Sequence, residues 1–388
     1  MTTVAALFEL GNERDERWRY TPLDEIVARI ERSVPALDRQ VASLPGTLIG
    51  SLIGSLTGGA APRLVFVNGF YAADLSDHAI LPAGVHCGVS GAGHADGAGL
   101  SLVEVGDGTR SDQPIHIVHL ALPDPSVGHM VTSFPRTLVD VGDDARVTVV
   151  ESYGGLDGQT LSEASTVIRV GDRAELAHHR VQVETPTATH IGRTRAGLGT
   201  GSVLRHTSVT LGGDIARHAI DVHLDAADAR AELAGINVTG GRQRHDTVVT
   251  VDHAASRCAS TQRFAGVVDD HGRGSFSGEI IVRPGTTATD ASQTSRNLVL
   301  GPNAEADARP WLTILADDVR CTHGATVGRL DEDALHYLRS RGIELAQARA
   351  MLIDAFVRDI TDSIPHQTVR AHIAGLVAAA VTGAGWHR

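Results

Sequence analysis

The sequence predicts a mainly β chain in which short strands are stacked and helices close both ends. Three observations carry that expectation. From about residue 112 to 325, apolar residues alternate in short runs such as Ile115-His116-Ile117-Val118, Arg146-Val147-Thr148-Val149, Arg180-Val181-Gln182-Val183 and Val248-Val249-Thr250-Val251. That is the period of half-buried strands. The same stretch echoes itself. Val141-Gly142-Asp143-Asp144-Ala145 returns as Val170-Gly171-Asp172-Arg173-Ala174, an offset of 29 (170 − 141), and Arg173-Ala174-Glu175-Leu176 returns as Arg230-Ala231-Glu232-Leu233, an offset of 57 (230 − 173). Repeats on this scale suggest a solenoid, although the pattern alone leaves a β-sandwich open. Finally, aromatics make up only 4% of the chain while glycine occurs 42 times, which suits tightly turned stacked strands better than a large aromatic-lined pocket.

Taken in order, residues 1–111 read as a mixed, partly helical N-terminal region. Thr21-Pro22 offers a cap and a first-turn proline, Leu23, Ile26, Val27, Ile30 and Val34 follow at helical spacing, and Pro35 interrupts them. The apolar run Leu48 to Leu56 contains Gly50 and Gly54 and fits no element clearly. Leu64-Val65-Phe66-Val67-Asn68-Gly69 reads as a strand and turn. Gly88 to Gly99 reads as a loop, because Gly91-x-Gly93 lacks the third glycine of a dinucleotide fingerprint at the required spacing. Residues 112–325 form the strand stack. Residues 326–388 are helical: Asp331 caps a helix carrying Leu335 and Leu338 that ends at Gly342. A second helix carries Ala348, Met351, Leu352, Ala355, Phe356 and Ile360, and Pro365 separates a third with Val369, Ile373, Leu376, Val377 and Val381.

Composition excludes several functions. The net charge of −12 opposes a nucleic-acid partner, which needs basic clusters. The chain contains no lysine, so a P-loop lysine, a Schiff-base lysine and a pyridoxal phosphate site are excluded, and any nucleotide-driven step requires another subunit. Three cysteines without paired spacing argue for a reducing compartment rather than a disulfide scaffold. The N-terminus lacks the basic region of a signal peptide, and the nearest apolar run, 371–384, is too short to span a bilayer. A cytoplasmic, membrane-free protein is expected.

The chemistry-bearing pair is Cys321 and His323, at the point where strand pattern gives way to helical pattern. In an extended segment, side chains two residues apart share a face, so thiolate and imidazole could meet one iron, zinc or cluster. Two ligands are too few for zinc or an iron–sulfur cluster, which take about four. Either the pair is structural or another chain completes the site. Among the 20 histidines, the adjacent His178 and His179 face opposite sides of a strand and cannot chelate one ion together. His116, His119, His218 and His223 lack ligand spacing, although residues on successive rungs of a solenoid can converge. Cys87 and Cys258 match no ligand motif, and no Gly-x-Ser-x-Gly elbow is present.

The run Ala316-Asp317-Asp318-Val319-Arg320-Cys321-Thr322-His323-Gly324-Ala325-Thr326-Val327-Gly328, with its continuation Leu330 to Ile343, resembles the signature of the SufB/SufD family of iron–sulfur cluster assembly scaffolds. Arg17-Trp18-Arg19-Tyr20-Thr21-Pro22-Leu23, Phe66-Val67-Asn68-Gly69, Leu75-Ser76, and Ser275 to Gly285 with Asn297-Leu298 are similar to further family blocks, so the resemblance covers nearly the whole chain. Cys-x-His-Gly resembles the SufD branch, since the SufB branch usually carries Glu after the His. The resemblance implies a right-handed parallel β-helix core with helical N- and C-terminal regions. It implies a non-catalytic scaffold subunit that partners a SufB-like subunit and a SufC-like ABC ATPase, the latter through the C-terminal helices. It also implies a transient iron–sulfur cluster or iron shared with the SufB-like partner, with His323 as a ligand and Cys321 beside it. A SufB-like cluster-bearing subunit is the lesser alternative, disfavoured by Gly324 and by the scarcity of cysteines. A β-helix enzyme acting on polysaccharide is the remote one, because signal peptide, lysine and aromatic sugar platforms are lacking.

Overall fold

The computed structural model describes residues 16–36, 46–59, 62–77, 81–90, 99–126 and 128–383. It is a parallel β-solenoid of about seven turns, mainly β, with helices at both chain ends. Successive strands alternate between two sheets. One runs from Val85–Ser90 through Leu100–Val105 and Arg136–Val141 to Glu305–Ile314; the other runs from Arg63–Val67 through Ile115–Ala121 and Arg146–Gly155 to Val319–Gly328. Apart from two antiparallel pairs at the first end of the stack, Val85–Ser90 with Leu100–Val105 and Arg63–Val67 with Phe70–Tyr71, strands pair in parallel with the one a coil away, as Arg146–Gly155 does with Glu175–Gln182. The sandwich is thereby excluded, since its sheets are antiparallel.

The 29-residue echo is one coil, for Val141 lies opposite Val170. Its residues have mechanical roles at the corner joining the sheets. The Asp107 carboxylate accepts the Asp143 N–H at 2.9 Å, Asp143 accepts the Asp172 N–H at 2.8 Å, and Asp172 accepts the Thr200 N–H at 2.7 Å. A Cβ on Gly142 or Gly171 would stand 2.4 or 2.6 Å from one of these carboxylates, which is why glycine precedes aspartate there. The 57-residue echo is not the register of two coils: Glu175 lies opposite Val203, and Val203 opposite Arg230. Two coils here span 55 residues (230 − 175), because corner loops shorten without disturbing the strands.

Inward-facing apolar residues from both sheets, including Val139, Val149, Ile168, Leu176, Leu204 and Val249, fill the lumen. Outer faces are covered by helices. Helix α1 (Leu23–Glu31) packs Ile26 and Ile30 with Trp18 against Phe134, Leu161 and Ile215 on the first sheet. Thr21 does not cap it: Pro22 holds the N-cap position, and the Thr21 hydroxyl instead donates to Asp246, which also pairs with Arg217. The chain leaves α1 at Arg32, and Ser33–Pro35 becomes a strand, so the helix ends before Val34 and Pro35. The unassigned run is helix α2 (Gly46–Thr57), whose Ile49, Ile53 and Leu56 pack on the second sheet. Of the glycine-rich stretch, Val85–Ser90 is a strand and 91–98 lies outside the described residues.

Three helices follow the last strand: α3 (Glu332–Ser340), α4 (Leu345–Asp362) and α5 (Gln367–Gly383). Asp331 caps α3, accepting the N–H groups of Asp333 and Ala334, and Gly342 takes a φ of 85° beyond its end. The buried stripe of α4 keeps Ala348 and Ile360 of the expected set but adds Ile353 and Val357 in place of the others. Met351 and Ala355 face outward, and Leu352 and Phe356 are half-buried. Val369, Ile373, Val377 and Val381 of α5 are buried as expected, and both helices seal the outer face of the second sheet over Val181, Val209, Ile236 and Val267.

A candidate metal and partner site at the open end of the stack

The last coil is built from Glu305–Ile314 and Val319–Gly328, and each strand ends its sheet. Among the described residues no further coil covers them. Inward positions that are buried everywhere else are therefore half-buried or exposed here: Leu312, Ile314, Val319, Cys321, His323 and Val327. Their backbones present two free strand edges, which are templates for pairing with another chain.

Cys321 and His323 lie opposite the buried Ala291 and Gln293, so both project from the inner face of the terminal strand, as alternation requires. The Cys321 side is apolar: with Leu312 and Ile314 it packs against the cluster of Ile280, Val282 and Ala291. Burial, and secondarily the charge of Asp290, pushes the thiol above its ordinary range. Before a metal arrives, this cysteine is a protonated thiol. His323 is exposed. A Cβ added to Gly324 would meet open space, so the residue beside the imidazole leaves its flank clear. Among the described residues no three His, Cys, Asp or Glu side chains gather as a metal site. This end of the chain supplies two donors, of the soft and borderline kind that iron accepts.

Beneath His323 runs an inner column of coil partners: Gln293, Gln262, Leu233, His206 and His178. Gln293 Nε2 donates to Gln262 Oε1 at 2.6 Å. Leu233, with the packed rings of Phe264 and Phe276 at 4.7 Å, then interrupts the polar line. Below that plug lies a second polar group. The Glu151 carboxylate accepts from Thr137 at 2.6 Å and Thr166 at 2.8 Å, with His119 and His178 at 3.3 and 3.4 Å. Burial alone would raise the Glu151 carboxyl, but the hydrogen bonds and charges of those two histidines hold it well below its usual range. His178 stacks on His206 with Nδ1 atoms 3.0 Å apart. His190 bridges Glu184 at 2.7 Å and Arg180 at 2.6 Å. These convergent histidines have no individual sequence signal; stepping along the chain by one coil length would have aligned His178 with His206.

His178 and His179 do face opposite sides: His179 points outward beneath the C-terminal helices. Cys258 is a corner residue, buried in a column with Ala145, Ala174, Ser202, Ala229 and Thr289, and its thiol donates to the Ala226 carbonyl at 3.2 Å. Cys87 sits in the strand Val85–Ser90 at the other end of the stack, its thiol pushed up to about 12 by burial. All three cysteines are free, and neither of these two approaches the open end.

Residues 126–356 match the family model for the SufBD core domain of the SUF system for iron–sulfur cluster assembly. The chain is 30% identical to an iron–sulfur cluster assembly SufBD family protein of Synechocystis, over 95% of this chain and 87% of the relative. It is 29% identical to the iron–sulfur cluster assembly protein SufD of Escherichia coli, over 96% and 90% respectively. A chloroplastic protein of Arabidopsis thaliana, ABCI7, is 30% identical over 74% of this chain and 62% of its own length.

Proposed function

From a chain that belongs to the SufBD family of iron–sulfur cluster assembly proteins and is a homologue of SufD, we propose a non-catalytic scaffold subunit of a cytoplasmic SufBCD-type complex. Its open end pairs with a SufB-like subunit, and an ABC ATPase resembling SufC docks on the C-terminal helices. The nascent cluster is cargo, held between the two scaffold chains. The observation that carries this reading is the uncovered last coil, which places Cys321 and His323 between two unpaired strand edges. A cluster takes about four ligands, this end offers two, and strand addition by a partner would bring the remainder against the same face. His323 is the first ligand because it is exposed; Cys321 follows once metal or a partner base takes its proton.

The test is reconstitution of the complex with His323→Ala and, separately, Cys321→Ala. His323→Ala is expected to lose most cluster formation, read as iron and sulfide content, while the subunits still assemble. Normal iron and sulfide in both variants would return the pair to a packing role.

A further inference from the structure

We propose that the cavity between the C-terminal helices and the last coils binds a small organic acid through its carboxylate, with Arg349 as the recognising residue. The cavity holds about 380 Å³ and takes in Arg329 and Leu330, directly after the terminal strand. The apolar part of its wall comes from Leu300, Leu330, Leu335, Ala350, Ile353 and Val381, and the rest is polar. Polar groups converge on it from Arg329 and Arg349 and from the corner segment Asp269-Asp270-His271. An apolar chamber of roughly 300–1,000 Å³ with a few polar anchors is the usual form of a small-molecule site. A single Asp or Glu side chain from a docked protein would leave most of it empty.

Arg349 supplies the chemical class. Its Nε is shielded from solvent and has no hydrogen-bond partner among the described residues. A guanidinium is always charged and carries only donors, and a shielded donor without an acceptor is costly. Nothing on its own helix relieves it: the residues three and four positions away are Ala346, Leu345, Leu352 and Ile353, whereas Arg358 on the same helix pairs with Asp354. Three acids line the chamber, and none of them forms an ion pair with Arg349 among the described residues: Glu332 on the first turn of α3, and Asp269 and Asp270 at the corner. Asp269 accepts the Asp270 N–H at 2.8 Å and Asp270 accepts the Gly241 N–H at 3.3 Å, so both hold the corner. Arg349 is close enough for its charge to act on the Asp269 carboxyl, which burial nonetheless raises. Arg329, which makes no ion pair among the described residues, lines the same chamber and can share a bidentate acceptor.

The experiment is calorimetric titration of the purified full chain with hexanoate, with hexylamine as a probe of equal body and opposite charge, and with inorganic phosphate. Saturable one-to-one binding of hexanoate is expected, with much weaker binding of the other two. Arg349→Met should weaken hexanoate by about tenfold or more and Arg349→Lys by less, because lysine keeps the charge and loses the fork. Circular dichroism and thermal unfolding check that both variants fold. Absence of saturable hexanoate binding, equal binding of hexylamine, tighter binding of phosphate, or an Arg349→Met chain that binds as the parent does would each overturn the proposal. A free chain that ignores hexanoate while Arg349→Met weakens capture of a partner subunit would assign the carboxylate to that partner, and the small-molecule site would fall.

Discussion

At the corners that lead from the first sheet into the second, the backbone takes one residue of positive φ followed by one small buried side chain. Asp144, Arg173, Asp228, Arg257 and Ala288 take the first position, with φ between 54° and 64°, and Gly201 takes it at 64°. A single residue in this region is tolerable for Asp but strained for Arg or Ala, and here the parallel ladders on both sides fix it. Cys258 occupies the second position, where other coils place Ala, Ser or Thr. Cys258→Ala should therefore change stability by less than about 1 kcal/mol, while Cys258→Leu should cost roughly 1–3 kcal/mol through overpacking, read from urea unfolding midpoints. Loss of cluster formation in a stably folded Cys258→Ala chain would instead give this thiol a chemical role. Spacing alone made Cys258 look unassigned, because its meaning lies in residues 29 and 31 positions away, Ala229 and Thr289. The Cys321–His323 pair was legible as one face of a strand for the opposite reason: its geometry is local. What makes that face accessible is the absence of a covering coil, which no residue of the pair encodes.

Among elements, the seam beneath α5 responds to acid. His116 and His179 stand on the outer face of the second sheet, one on each side of Val150, and both are buried with neither ring nitrogen bonded. Burial lowers His116 to about 4, helped by the charges of His372, His366 and Arg63. It lowers His179 to about 3, helped by His178, His366 and His116. His366 donates to the Asp112 carbonyl at 2.9 Å and His372 to the Leu56 carbonyl at 3.0 Å, tying α5 to the sheet and to α2. Both buried histidines are neutral in the closed seam and take a proton near 6.5 when exposed. Their contribution is intact above that pH and is lost progressively below it, to the extent of about 2 kcal/mol each by pH 5. Amide exchange along α5 should accelerate more than tenfold between pH 7.5 and 5.0 beyond the intrinsic change, and His179→Phe should reduce that acceleration. The helices themselves were legible from periodicity, whereas the buried stripe of α4 was not: Met351 and Val357 are equally apolar in sequence, and only the sheet beneath decides which faces inward.

On the scale of the whole molecule, α4 and α5 do two jobs that constrain how docking can be tested. Removing residues 329–388 would strip the cover from Val181, Val209, Ile236 and Val267, so failure of that truncation to bind an ATPase would not identify a docking surface. The outward residues are better probes. Tyr337 and Met351 are 57% and 44% exposed and carry no core packing. Tyr337→Asp with Met351→Asp should leave unfolding unchanged and weaken capture of a SufC-like ATPase by about tenfold or more, since exposed apolar and aromatic side chains are common anchors of interfaces; unaltered capture would move the dock elsewhere. The 29-residue echo made the stack legible, but not its count of coils, because corner loops lengthen and shorten while the strands stay in register.

Helix α5 also lies lengthwise along the stack. It begins where His366 meets Asp112 and ends where Val381 lines the chamber beside Val299 and Leu300. Its 17 residues measure about 25 Å, close to five spacings of roughly 4.8 Å between stacked strands. Solenoids ordinarily lengthen by duplication of a unit, since each unit touches only its neighbours. Here the helix is a fixed splint laid across several units at once. Adding or excising one coil would shift one end of α5 by a spacing against its seat, so this chain's length is locked by a component outside the repeat.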